Sequence, residues 1–120
     1  MLNLILIFLG GGLGSLARFG VSVLLVNSSA KFPWGTLAAN ILASMIAGFL
    51  LAWFAKHHSG QDLKSFGLIG FCGGFSTFST FSLESYQMIE AGNWSLAVLY
   101  VALSAIACII GVGIGVFITK

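Results

Sequence analysis

Between positions 72 and 84 the chain reads Cys72-Gly73-Gly74-Phe75-Ser76-Thr77-Phe78-Ser79-Thr80-Phe81-Ser82-Leu83-Glu84. Phenylalanine recurs at every third position, and serine and threonine fill the places between. Lipid-facing rings would account for the aromatic repeat alone, but not for hydroxyls on two faces of the same two turns, which must line something polar. The edge of a phenylalanine ring carries partial positive charge. Phe78 and Phe81 can therefore offer ring edges to an anion while neighbouring hydroxyls donate hydrogen bonds, a set suited to a small, hard anion. Upstream, Gly73 and Gly74 weaken any helix that contains them. A broken backbone at membrane depth persists only where its freed carbonyls meet protein, water or an ion, and the sequence predicts such a break at these two glycines.

Two further positions carry polar chemistry within apolar surroundings. Thr36, Asn40 and Ser44 are spaced i, i+4, i+8 and form one polar stripe on a helix. A carboxamide there either ties two helices together or donates two hydrogen bonds to a passing anion. Arg18 interrupts the first apolar stretch, at a cost of at least ~2.5 kcal/mol if it sits at the bilayer centre. It either snorkels to the nearer interface or lines an electropositive vestibule that attracts anions.

Other candidate chemistry is excluded by context. The run from Gly12 to Ala17 fits a Gly-x-Gly-x-x-Ala dinucleotide fingerprint, but it lies inside an apolar span, with no preceding strand and no acidic residue at the required distance. His57 and His58 are adjacent in a loop with only Asp62 nearby, so no nucleophile and base constellation exists and the chain is not read as an enzyme. Cys72 and Cys108 fall in apolar stretches, where a buried free thiol is the ordinary outcome. No metal-ligand spacing is present.

The elements that must position these residues follow from composition. Of 120 residues, 58% are hydrophobic and 7% charged, with a mean hydropathy of +1.06. That is too little polar surface for a water-soluble domain of this size. Five basic and three acidic side chains are too sparse for a nucleic-acid footprint. A bilayer crossing takes roughly 20 apolar residues, and the chain divides into four such spans in one domain, at about 2–26, 34–55, 64–89 and 94–119. The polar segments 27–33, 56–62 and 90–93 connect them. The first span is too long for a signal-peptide core and lacks a basic n-region, so it is read as retained. Small residues recur four apart, as at Gly10 and Gly14 or Gly111 and Gly115, a spacing that lets helix backbones approach closely in lipid. The expected class is an all-α integral membrane protein of four helices, the third broken near mid-span.

On these residues the chain resembles the small bacterial fluoride channels of the Fluc (CrcB-like) family, along essentially its whole length. The resemblance rests on Gly11-Gly12-Leu13-Gly14-Ser15-Leu16-Ala17-Arg18, on Gly35-Thr36-Leu37-Ala38-Ala39-Asn40, and above all on residues 72–84. Phe19 after the arginine and Ala43 after the asparagine are mild departures. The resemblance implies passive, fluoride-selective export that lowers fluoride toxicity, from an antiparallel, dual-topology homodimer in the bacterial inner membrane. It implies a central structural sodium ion held by the backbone carbonyls of Gly73 and Ser76, and no organic cofactor. Asn40 would supply a pore-lining amide, Phe78 and Phe81 an aromatic box, Ser79, Thr80 and Glu84 a polar track, and Arg18 an entry charge. Tyr100, Ser104 and Cys108 on the fourth span are weaker candidates for pore contact.

One competing class shares the length and the four spans: small proton-coupled exporters of organic cations. Such carriers need a membrane-embedded carboxylate in the first span, and here that span holds Arg18 and no aspartate or glutamate. A helical assembly factor without transport would leave the cluster at 75–82 unexplained. Lys56, Lys64 and Lys120 on the side of the termini, against Lys31 and Arg18, give too small a bias to set orientation, which suits dual topology.

Overall fold

The computed structural model describes residues 1–26 and 31–120, and among these there is no strand. Residues 27–30, part of the polar turn expected after the first span, lie outside the described residues. Helix α1 covers Leu2–Leu24, ending before position 26. Helix α2, Trp34–Lys56, starts directly after Pro33, which closes off any helical continuation upstream. Its end is marked by His58 in a left-handed conformation (φ 49°). A short helix α3, Gln61–Lys64, leads into a π-helical stretch, Ser65–Cys72, and one further turn, α4, Gly73–Phe75. After an extended step at Ser76 and Thr77, α5 runs Phe78–Glu90. Gly92, at φ +83°, turns the chain while Asn93 N–H closes back on Met88 O at 2.8 Å, and α6 follows at Trp94–Thr119. Glycine accepts that left-handed conformation without steric cost.

Among the described residues, four spans are long and apolar enough to cross a membrane: α1, α2, the composite Gln61–Glu90, and α6. At 1.5 Å per residue α6 alone reaches about 39 Å, more than the ~30 Å hydrocarbon core. The protein is a multi-pass membrane protein, and large side chains such as Phe8, Ile109 and Phe117 stand on its outer surface, as a lipid-facing surface requires.

The helices associate in two parallel pairs. A methyl group added at Gly10, Gly14 or Gly74 would overlap the backbone facing it, so α1 lies directly against the π-helical stretch and α4. Gly48 and Gly115 do the same for α2 and α6, through Val112 and Met45. Small residues permit this approach, which in lipid is driven by van der Waals packing rather than by the hydrophobic effect. Between the pairs sit two small cores: Ala39, Ala43 and Phe75 in one, and Leu37, Met88, Ala97 and Tyr100 in the other.

The third span is broken, but not where the glycines suggested. Gly73 is helical (φ −63°, ψ −37°), and the helix carries on through Gly74 to Phe75. The extended residues are Ser76 (ψ 157°) and Thr77 (φ −150°, ψ 119°). Gly74 serves close approach to Gly11 rather than flexibility. The helix stops where a side chain outcompetes its own backbone. The Thr77 hydroxyl accepts the Thr80 N–H at 3.1 Å and caps α5, while its peptide group is bound by Asn40.

Candidate ion pathway

At the break, α2, α5 and α6 line an open cavity of about 470 Å³. Asn40 and Ser44 line it from α2, Ser76 and Thr77 from the break, Phe78 and Phe81 from α5, and Ser104 and Cys108 from α6. Ser104 is 5% exposed, and its hydroxyl has no hydrogen-bond partner among the described residues. Buried hydroxyls are ordinarily satisfied, and this one is not, although its oxygen is itself enclosed. Phe78 and Phe81 lie with ring centroids 5.5 Å apart at 42°. Phe78 is 80% exposed and stands out from the subunit, whereas Phe81 packs inward.

Beyond Phe81 the polar groups continue. Its ring meets that of Tyr100 at 5.1 Å, and Tyr100, fully buried, donates its hydroxyl to Glu84 Oε2 at 3.0 Å. The Thr36 hydroxyl donates to Glu84 Oε1 at 2.6 Å. Each carboxylate oxygen thus has its own donor, the arrangement that makes a carboxylate tolerable away from water. Thr36 and Glu84 in turn line a second cavity of about 530 Å³, together with Lys31, Trp34, Gln87 and Asn93. Tyr100 is itself closed off from both spaces and stands between them, its ring against Phe81 on the wall of the first and its hydroxyl on Glu84 at the wall of the second.

Of the residues singled out from the sequence, Asn40, Phe78 and Phe81 come together around the first cavity, and Glu84 stands at the second. Asn40 spends part of its amide on the backbone: its Oδ1 accepts the Thr77 N–H at 2.8 Å and its Nδ2 donates to Thr77 O at 3.3 Å. One of its two amide hydrogens remains. Ser79 and Thr80 belong to the cap of α5, Ser79 sharing a 3.3 Å hydrogen bond with the Thr77 hydroxyl; neither is among the residues lining the cavities. Arg18 is half-buried on α1, its Nε enclosed and without a partner among the described residues, and it lines neither cavity.

Of Ser104, Cys108 and Tyr100, the weaker candidates of the sequence, Ser104 and Cys108 line the first cavity, whereas Tyr100 is fully buried and lines neither. The i, i+4, i+8 spacing of Tyr100, Ser104 and Cys108 on α6, the same stripe that marks α2, is the signal that picks them out. Ser44 and Thr36 were part of the α2 stripe.

The donor set at the break suits a cation held by carbonyls. Thr77 N–H, which would bind Gly73 O in a continuous helix, is taken by Asn40. Ser76 directs both its N–H and its hydroxyl at Cys72 O, at 3.0 and 2.9 Å, leaving its own carbonyl beyond the helix end. Gly73 is exposed, with nothing nearer than 4.0 Å to an added Cβ.

The family described as "CrcB-like protein, Camphor Resistance (CrcB)" matches residues 5–116 of this chain. A protein of Coxiella burnetii (strain CbuK_Q154), named "Fluoride-specific ion channel FluC", is 47% identical over 122 residues, covering 99% of this chain and 98% of its own length. Proteins of the same name from Methylobacterium sp. (strain 4-46) and Phocaeicola vulgatus (strain ATCC 8482) are 42% and 38% identical over 121 residues, each covering 100% of this chain. They cover 98% and 100% of their own lengths respectively. The matched range reaches into every span, and the chain belongs to the CrcB-like protein family.

Proposed function

We propose that this protein is a passive, fluoride-selective ion channel of the bacterial inner membrane, exporting fluoride and so lowering its toxicity. The observation that carries this reading is the first cavity, lined by an amide, an unpartnered serine hydroxyl and two phenylalanine rings and by no charged side chain. Fluoride is small and strongly hydrated. A narrow route must replace its water with several partial positive charges while holding it weakly enough to leave. Ser104, Asn40 and the Phe78 and Phe81 edges fit that requirement, and full-length relatives bearing the name of a fluoride-specific channel support it. A membrane potential drives anion exit by ~2.3 kcal/mol per 100 mV, about a fifty-fold concentration ratio, so no coupled energy source is needed. A channel of this kind performs no covalent chemistry and is not an enzyme.

The working unit is an antiparallel homodimer. Exposed Gly73, Ser79 and Ser82 lie on the same broken span as the outward-standing Phe78. Polar backbone and hydroxyl groups facing hydrocarbon cost several kcal/mol each unless protein or an ion meets them. A second copy across this face would complete the aromatic box and bring a second pair of Gly73 and Ser76 carbonyls to a shared structural sodium ion. The sparse, nearly balanced charge at the two ends suits insertion in both orientations.

The proton-coupled exporter alternative fails on α1, which carries no carboxylate, and on the family match. Purified protein in liposomes should carry fluoride under a potential without a proton gradient and exclude chloride strongly. Comparable chloride flux, or flux that needs a proton gradient, would sink the channel reading.

A further inference from the structure

The way the third span is broken assigns a second task to a residue on another helix. Ser76 makes the last helical hydrogen bond of α4, its N–H reaching Cys72 O at 3.0 Å. The next N–H, that of Thr77, leaves the helix and meets Asn40 Oδ1 at 2.8 Å, and Asn40 Nδ2 returns to the carbonyl of that same residue at 3.3 Å. A carboxamide has the donor and acceptor pattern of a peptide group. Asn40 therefore pairs with Thr77 as a single residue of a neighbouring strand would, and Thr77 has the extended conformation such pairing requires (φ −150°, ψ 119°).

We propose that Asn40 is a positioning residue, a carboxamide clamp that holds Thr77 extended and thereby fixes both the released Gly73 carbonyl and the start of α5 at Phe78. Without the clamp, the Thr77 peptide group loses the partner that holds it extended, and the Gly73 carbonyl and the first turn of α5 are no longer fixed. The clamp works because α2 is itself immobilised, packed backbone to backbone on α6 through Gly48 and Gly115. Its effect is relayed through the Thr77 hydroxyl, which accepts Thr80 N–H at 3.1 Å and orients the first turn of α5, the turn that carries Phe78 and Phe81. Buried backbone groups at membrane depth must be satisfied, and Asn40 satisfies two of them at once.

The clamp itself is independent of what passes through the cavity; only the flux arm of its test rests on the proposed channel function. Hydrogen exchange at the Thr77 amide should rise about tenfold or more in Asn40→Ala, as for a locally opened site. It should rise less in Asn40→Asp, which keeps the acceptor for the Thr77 N–H but loses the donor to Thr77 O. For the flux arm, a synthetic segment 72–120 ligated through Cys72 can carry an ester in place of the Thr77 peptide N–H, leaving every side chain unchanged. The ester should reproduce most of the fluoride-flux loss of Asn40→Ala, and the two together should lose no more than the larger single change, because both remove one interaction. Unchanged exchange in Asn40→Ala, or wild-type flux in the ester, overturns the clamp. If Asn40→Ala does not assemble, the ester alone decides. If the wild type carries no fluoride, the channel function falls and the exchange comparison still judges the clamp.

Discussion

Phe78 and Phe81 share a sequence pattern but not a surrounding. Phe78 projects from the subunit, whereas Phe81 packs against Tyr100 and beside the core formed by Leu37, Met88 and Ala97. Replacement by isoleucine keeps bulk and apolarity and deletes the positive ring edge. Phe78→Ile should leave the stability of the isolated fold nearly unchanged, while Phe81→Ile should also lose aromatic packing of about 1 kcal/mol. Both should lower fluoride flux by about tenfold, the effect of some 1.4 kcal/mol lost from the barrier-crossing state. Phe75→Ile, inside the other core, should cost stability with a milder effect on flux. Liposome efflux beside a thermal melt of each variant separates these contributions, and wild-type flux in both pathway variants with intact dimers would show that the rings only pack. At Glu84 the chemistry is of another kind. With Thr36 and Tyr100 both donating to it, the carboxylate organises hydroxyls rather than presenting a bare charge to an anion.

Helices in this protein are joined by glycine faces, and neighbouring glycines do unlike work. Gly74 abuts the backbone of Gly11, while Gly73 has open space around an added Cβ within the subunit. Overpacking a close contact typically costs 1–3 kcal/mol, so Gly74→Ala should destabilise the fold by roughly that amount, seen as a lower melting temperature in detergent. Gly73→Ala should leave the subunit's fold intact. If a second copy and a sodium ion occupy the space beside it, Gly73→Ala should instead weaken dimerisation, measured by subunit exchange in lipid. A dimer as tight as wild type in Gly73→Ala would remove this face from the interface. The π-helical stretch shows the same division of labour. Gly67 within it faces Leu50 and Phe54 of α2, while Gly70 faces Ile7 and Gly10 of α1. One irregular segment thus packs on both neighbours.

For the whole molecule, the proposed dimer and its sodium ion stand or fall together with the break. Carbonyls released at Gly73 and Ser76 are costly in hydrocarbon, and a monovalent cation shared between two copies offsets that cost without side-chain charge. Exhaustive removal of sodium, with an impermeant organic cation in its place, should therefore abolish flux or shift the protein toward monomer. Potassium should restore less than sodium does if two copies packed at this face fix the spacing of the four carbonyls. Unaltered flux and dimer fraction after sodium removal would refute the shared-ion arrangement. The same experiment in chloride and fluoride media separates a structural cation from a transported one, because only a transported ion changes the reversal potential.

Membrane residence, four spans and the polar character of residues 75–82 are written in the sequence, because lipid admits only segments whose backbone is internally satisfied and whose surface is apolar. The α2 stripe of Thr36, Asn40 and Ser44 is legible for the same reason, since helical periodicity places i and i+4 on one face. The position of the break was not legible. Gly73 and Gly74 carry the intrinsic weakness, yet close packing of Gly74 on Gly11 keeps that turn helical, and the chain opens at Ser76 and Thr77 instead. That outcome depends on Asn40, 37 positions away in sequence, presenting its amide to Thr77. The pairing of Glu84 with Thr36 and Tyr100, and the lone hydroxyl of Ser104, likewise arise only when α2, α5 and α6 meet. Local sequence determines which segments are helical in lipid; which polar groups are satisfied, and which are left free to bind an ion, is decided by the neighbours that packing supplies.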